Sequence, residues 1–352
     1  MTAQINESFW NGRKVFLTGH TGFKGSWLSI WLTELGAEVK GFSLKPKKSN
    51  NLFDIANISN FVQSDINDIN DYDALTKSIN IFKPEVVIHM AAQPLVLESY
   101  IEPINTYKTN VIGTANILEA SRHCNSIKAI LNITTDKCYE NFEHDYAYKE
   151  DDQMGGHDPY SSSKGCAELV TTAYRKSFFN LNQCGLASVR AGNVIGGGDW
   201  SDDRLIPDIL RSFEKEEIVT IRNPRAIRPW QHVLEPLSGY LNLIEKLYTE
   251  PQRYSSGWNF GPNETDVKSV EWIVKYMSEL WPNSLWKIDE KNKLHEAQLL
   301  RLDISKAKNE LNWFPKWNIE KALKKIIEWH KLWLSDYDMY KICVNEIKEY
   351  SN

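Results

Sequence analysis

Apolar residues in the first half of the chain fall into short unbroken runs, separated by segments of helical period. Residues 14–19 (KVFLTG) predict a strand, and residues 25–36 (GSWLSIWLTELG) a helix closed by Gly36. Further strands are predicted at 37–44 (AEVKGFSL), 60–66 (NFVQSDI), 85–92 (EVVIHMAA) and 127–135 (IKAILNITT), and a sixth opens the stretch 185–196. Between them, YDALTKSINIF and the stretches 103–123 and 158–180 have helical spacing. Strands that are apolar throughout are buried on both faces. Their alternation with helices therefore predicts an α/β fold with a doubly wound parallel sheet. Beyond residue 196 the regularity stops: GGGDWSDDR and RNPRAIRPWQ read as loops, and helical patterns dominate to the end. That change predicts a smaller, mostly helical C-terminal lobe packed closely on the first. The final stretch, IEKALKKIIEWHKLWLSDYDMYKICVNEIKEY, mixes both charge signs, which favours a helix docked on that second lobe over a membrane-surface helix.

Composition narrows the function classes. The 352 residues are 42% hydrophobic and 25% charged, with a formal charge of -5, an ordinary globular balance. No long basic run supports a nucleic-acid or membrane partner. The first residues carry no apolar signal segment, and no stretch approaches the roughly 18 apolar residues of a membrane span. Five scattered cysteines without CxxC spacing imply free thiols in a reducing cytoplasm and no metal site. The thirteen tryptophans are expected chiefly in the core.

The chemistry begins at the first strand–helix turn, Gly19-His20-Thr21-Gly22-Phe23-Lys24-Gly25. Glycines there allow a tight turn and close backbone approach to a pyrophosphate seated on a helix N-terminus. The GxxGxxG spacing is weak alone, but at the first turn of such a sheet it signals a Rossmann-type dinucleotide site. After the second strand, Lys45, Lys47 and Lys48 stand where an acid would mark NAD, so NAD and NADP both remain open. Asp65 and Ile66, after the third strand, are expected to hold and cover the adenine. Tyr160 and Lys164 in PYSSSKGCAEL lie one helical turn apart on one face. An ammonium beside a phenol favours the phenolate, so the pair predicts a tyrosine with a lowered pKa acting as base. The fifth strand ends in Thr134-Thr135-Asp136-Lys137, at the end of the sheet where such folds bind ligands. His89 reads as a satisfied core histidine, His232 as a packing residue at the start of a helix, Arg190 as a structural ion-pair partner and Asn259 as a brace.

The glycine loop, HMAAQP, TNVIGTANILEA, the Thr-Thr-Asp strand end and the Tyr160/Lys164 pair together resemble the extended short-chain dehydrogenase/reductase (NAD-dependent epimerase/dehydratase) superfamily. The resemblance covers nearly the whole chain. More narrowly, GHTGFKGSWL, TTDKCYEN, GGHDPYSSSKGCAEL, RAGNVIGGGDW and RPWQHVLEPLSGYL resemble the CDP-glucose 4,6-dehydratases. Several expectations follow from that likeness. Tightly bound NAD, with NADP not excluded, would contact the glycine loop, Ala91, Ala92, Gln93, Asn110, Tyr160 and Lys164. Thr135 would hold the sugar's C4 hydroxyl, Tyr160 would take its proton, and Asp136 and Lys137 would serve the loss of water. In dTDP-glucose relatives a glutamate usually stands where Lys137 is. Asn193, Arg204, Arg225, Arg228 and Glu296 would bind the nucleotide sugar. The dinucleotide domain would span 1–190, with 232–258 returning to it, and the substrate lobe 191–231 and 259–352. The resemblance also implies a cytoplasmic homodimer or dimer of dimers, working in deoxysugar biosynthesis for bacterial surface polysaccharide such as lipopolysaccharide O-antigen. A nucleotide-sugar epimerase or reductase would need Tyr160 and Lys164 but no acid–base pair for dehydration. A dinucleotide-sensing regulator would need none of them.

Overall fold

The computed structural model describes residues 3–179, 184–221, 223–288 and 300–352. Its centre is a seven-stranded, wholly parallel sheet. In chain order the strands are β1 (Lys14–Thr18), β2 (Glu38–Ser43), β3 (Gln63–Ile66), β4 (Val86–His89), β5 (Ala129–Ile133), β6 (Gly185–Ala191) and β7 (Gly257–Phe260). Their spatial order is β7-β6-β5-β4-β1-β2-β3. The order reverses between β1 and β4, and this is where a doubly wound sheet opens its ligand crevice. The inner strands β4, β5 and β6 are buried at every position, as their unbroken apolar runs require.

The helices that frame the crevice follow from local sequence. Helix α1 (Phe23–Glu34) starts at Gly22 and has eight successive buried residues, Gly25 to Leu32. Such a helix must be covered on all sides. It lies against the sheet on one side and the C-terminal helix on the other, and Gly36, at φ 80°, turns the chain out of it. Helix α2 (Tyr72–Phe82) begins at Asp71, whose side chain accepts from Ala74 N. The predicted helix over 103–123 is one helical run, Pro103–Tyr107, a π turn at Lys108–Ile112 and α3 (Gly113–Arg122), preceded by a separate short helix, Val96–Ile101. A proline at the first position of the second helix explains the break after Ile101, and the wide turn brings Asn110 to face the chain after β4. Helix α4 (Pro159–Tyr174) is capped by Asp158, which accepts from Ser161 N at 2.9 Å.

The second lobe has its own apolar cluster. It is built on α5 (Leu205–Glu214), and later in the chain on α7 (Val270–Leu280) and α8 (Ile319–Leu334), with short strand pairs at its margins. Helix α6 (Leu234–Thr249) comes back to lie on β5, β6 and β7. The final stretch differs from the expected single docking helix. Only α8 joins the second lobe, while α9 (Met339–Ser351) packs on α1. Apolar Met339, Cys343, Val344 and Ile347 face the main core, and the Tyr350 hydroxyl donates to Glu235 Oε2 at 2.7 Å. Trp10, Trp27, Trp31, Trp258, Trp313 and Trp329 are fully buried, in keeping with a core role. All five cysteines are unpaired. Among the described residues there is no metal-binding cluster and no helix long and apolar enough to cross a membrane.

Candidate active site

The glycine loop is shaped by close backbone approach. Gly19 has φ 74°, and a Cβ there would come within 2.8 Å of the Met90 and Ala91 backbone. A Cβ on Gly25 would lie 2.1 Å from Gly19 O. Gly22 starts α1 without a side-chain cap, so the first amides of the helix are left for an anion. This cradle fits the pyrophosphate of a dinucleotide. Thr21 ties the loop to the end of β2, sharing a hydrogen bond with Ser43 Oγ and donating to Leu44 O, both at 2.9 Å. His20, which the sequence reading passed over, fills the space above Gly41, where a Cβ would meet its ring at 2.2 Å. Its Nε2 pairs with Ser64 Oγ at 2.6 Å. The signal for it was a bulky imidazole inside a glycine loop.

Around the rest of the crevice, several expected cofactor residues are engaged by protein. Asp65 forms an ion pair with Lys40 at 3.1 Å and accepts from Ser78 Oγ at 2.6 Å, while Ile66 stands exposed beside it. Lys48 is tied to Trp200 O at 2.8 Å and Asp202 at 2.5 Å, whereas Lys45 and Lys47 are exposed. Ala91 N donates to Thr18 Oγ1, and Ala92 is half-buried next to it. Gln93 and Asn110 clamp each other: Gln93 N donates to Asn110 Oδ1, and Asn110 Nδ2 donates to Gln93 O and Ser163 Oγ.

The acid–base groups converge where β5 ends. Thr134 turns inward, its hydroxyl donating to Glu168 Oε1 at 2.5 Å. Thr135 caps a 3-10 turn, Asp136–Cys138, and donates to Asp136 Oδ1 at 2.9 Å. Asp136 is 2% exposed and its Oδ2 has no hydrogen-bond partner. That oxygen lies against Gly192, where a Cβ would come within 2.5 Å of it. Burial pushes the Asp136 carboxyl above its usual range, against the pull of Lys137, Thr135 and Arg228. Lys137 is half-buried beside it.

Tyr160 hydrogen-bonds Thr135, yet burial raises its hydroxyl to about 12. This rise runs against the lowering expected from Lys164. The Lys164 ammonium instead donates to Ile133 O at 3.3 Å, and burial draws it down to about 8 against the opposing charge of Glu168. Neighbouring charge can be read from residue spacing, but desolvation cannot, and desolvation is the larger effect here. Lys24, assigned only to the cofactor loop, is brought into the same cluster. Burial lowers it to about 7, helped by Lys164 and Arg204 and opposed by Asp136.

Of the second-lobe residues, Arg204 pairs with Asp199 at 3.2 Å and acts on both Tyr160 and Lys24. Arg228 acts on Asp136 from the short strand Ile227–Pro229. Asn193 is half-buried just past β6, its carbonyl accepting from Gln231 N. Arg225 is exposed on the loop before that strand, and Glu296 lies outside the described residues. His89 is a satisfied core residue, with Nδ1 2.7 Å from Thr18 Oγ1. His232 Nδ1 accepts from Leu234 N at the start of α6, and Arg190 forms a buried ion pair with Glu168.

Comparison with known proteins places this site in context. Residues 16–326 match the family model described as GDP-mannose 4,6 dehydratase. The chain is 55% identical over 352 residues to a CDP-glucose 4,6-dehydratase of Salmonella typhimurium, covering 98% of each. Among solved structures, it is similar to a dTDP-glucose 4,6-dehydratase of Bacillus anthracis in complex with NAD. That match has TM-score 0.76 and 22% identity, over 94% of this chain and 100% of that one. A Thermotoga maritima UDP-glucose 4-epimerase with UDP-glucose matches with TM-score 0.78 and 23% identity, over 91% and 99%.

The two buried imidazoles predict an acid-sensitive fold. Burial lowers His20 to about 4 and His89 to about 3, from an ordinary value of 6.5. As pH falls below 6.5 the unfolded chain takes up protons that the folded chain refuses. Each imidazole should then cost up to ~1.4 kcal/mol per pH unit, until the folded sites protonate. Denaturant midpoints measured from neutral pH down to about 4 should fall, and fall less steeply in His89→Gln. An identical slope in that variant would contradict the assignment.

Proposed function

The chain belongs to the GDP-mannose 4,6 dehydratase family, and on that footing we propose that it is an NAD-dependent CDP-glucose 4,6-dehydratase. The reaction would convert CDP-glucose to CDP-4-keto-6-deoxyglucose and water. The observation that carries this reading is the buried, partly unpartnered Asp136 carboxyl next to Thr135 and Tyr160, an acid for which an epimerase has no use. The close relative's activity on CDP-glucose supports the choice of nucleotide.

Bound NAD, seated on the glycine loop, supplies a temporary store for the C4 hydride, which later returns to C6. Thr135 orients the C4 hydroxyl and Tyr160 accepts its proton. It does so as the phenolate, which burial disfavours by raising the hydroxyl to about 12 and which Thr135 and neighbouring Arg204 favour. Lys164, on the same face of α4, holds the nicotinamide ribose. Once C4 is a ketone the C5 proton is acidic, and Lys137, half-buried beside Asp136, is the group that removes it. Asp136, whose carboxyl burial pushes above its usual range, donates to the C6 hydroxyl, which leaves as water. Arg204, Arg228 and Asn193 are the groups that receive the nucleotide diphosphate. Asp65, Ile66 and the Gln93–Asn110 clamp shape the cofactor's seat. Unpaired cysteines fit a cytoplasmic setting, and the product fits deoxysugar biosynthesis for surface polysaccharide.

The same chain exposes apolar side chains on adjoining helices: Ile101 (72%), Ile104 (77%) and Leu169 (60%). A patch of this kind is an interaction surface. Pairing of two copies through these helices would bury it.

Purified protein supplied with NAD and CDP-glucose should give the ultraviolet absorbance of a 4-keto sugar in alkali. An epimer formed without water loss would refute the dehydratase reading. Lys137→Ala should bind cofactor normally but slow elimination by about 100-fold or more, and near-normal turnover would exclude Lys137 as the base. In sedimentation, wild type should run as a dimer or larger and Ile104→Glu should dissociate it. Equal masses for the two would place the interface elsewhere.

A further inference from the structure

Tyr139 follows directly on the turn that carries Asp136 and Lys137. Its ring is buried and stacks on Tyr148, with centroids 5.3 Å apart. Its hydroxyl donates to Asn259 Oδ1 at 2.7 Å and accepts from Arg190 Nη1 at 2.6 Å. Burial keeps this phenol well above its usual range, so it remains a donor throughout. Each partner reaches further. Arg190 grips Glu168 on α4 and donates to Glu150 O at 2.8 Å. Asn259, on β7, donates through Nδ2 to Tyr148 O at 2.9 Å and Asp303 O at 3.2 Å. Tyr148 and Asp303 belong to, or adjoin, the short parallel pair Ala147–Tyr148 and Arg301–Leu302. One hydroxyl thus joins the end of the acid–base turn, the sheet edge and a strand pair that packs in the main core.

The two halves of the chemistry have different supports. Tyr160 and Lys164 ride on α4, which is fixed by its own cap and by Glu168. Asp136 and Lys137 ride on a turn of three residues, which has little rigidity of its own. Resting on the dehydratase reading, we propose that Tyr139 is a positioning residue for the elimination step, holding Asp136 and Lys137 across C5 and C6 of the sugar. It takes no part in hydride transfer from C4, and it neither gives nor accepts a proton in the reaction.

Tyr139→Phe tests this, because it removes one oxygen and keeps the ring stack. NAD-loaded protein is mixed rapidly with CDP-glucose, and the absorbance of reduced nicotinamide is followed alongside keto-product formation and thermal melting. In the variant the cofactor should be reduced at nearly the wild-type rate. It should then stay reduced about 10- to 100-fold longer, with kcat down by the same factor and KM within about 3-fold. Asn259→Ala should give the same pattern, and the double variant should be no slower than the worse single one. Equal slowing of both phases, an unchanged second phase, or additive losses in the double variant would overturn the proposal. If wild-type protein itself leaves the cofactor oxidised, the dehydratase reading falls and this inference falls with it.

Discussion

The buried ion pair between Glu168 and Arg190 holds the catalytic end of the sheet together. Arg190 Nε and Nη2 meet Glu168 Oε1 and Oε2 at 3.0 and 2.9 Å. Thr134 and Ser188 hydroxyls complete the carboxylate at 2.5 and 2.7 Å. Burial would raise this acid, but Arg190 and the two hydroxyls hold it down to about 2. Gly257 leaves space for the guanidinium, since a Cβ there would sit 2.6 Å from Nη2. Losing either partner would strand a buried charge at a cost of about 3–5 kcal/mol. The end of β5, the body of α4 and strand β6 are therefore fixed relative to one another. Tyr160 rides on that frame, and the short turn that carries Asp136 and Lys137 leaves it just past the end of β5.

Against that rigid frame, the reacting groups share one electrostatic tendency. Desolvation pushes each toward its neutral form: Asp136 and Tyr160 up, Lys24 and Lys164 down. That tendency suits the acid role of Asp136, whereas the Tyr160 phenolate depends on Thr135 and Arg204 working against it. Burial pushes the Asp136 carboxyl up although Lys137 stands next to it in the chain.

Much of this was legible in the sequence, and the exceptions have a common cause. Apolar runs and glycine spacing located six strands, the cofactor turn and the Tyr160/Lys164 helix, because these depend on local pattern. The placement of α9 on α1 depends on tertiary packing that periodicity does not encode. The Tyr160 shift was misjudged because neighbouring charge can be read from spacing whereas depth of burial cannot. Tyr139, Glu168 and Lys24 were passed over or assigned elsewhere, since their partners lie far along the chain. Glu168 left one trace, its place one helical turn beyond Lys164.

The central claim is that one crevice removes a hydride from C4 and returns it to C6 while water leaves between the two events. CDP-glucose carrying deuterium at C4 tests it most directly, with the product examined by mass spectrometry and NMR. The account predicts one deuterium retained per product molecule, located on C6, with a solvent proton at C5. Deuterium lost to solvent, or still at C4 in an epimerised sugar, would contradict it.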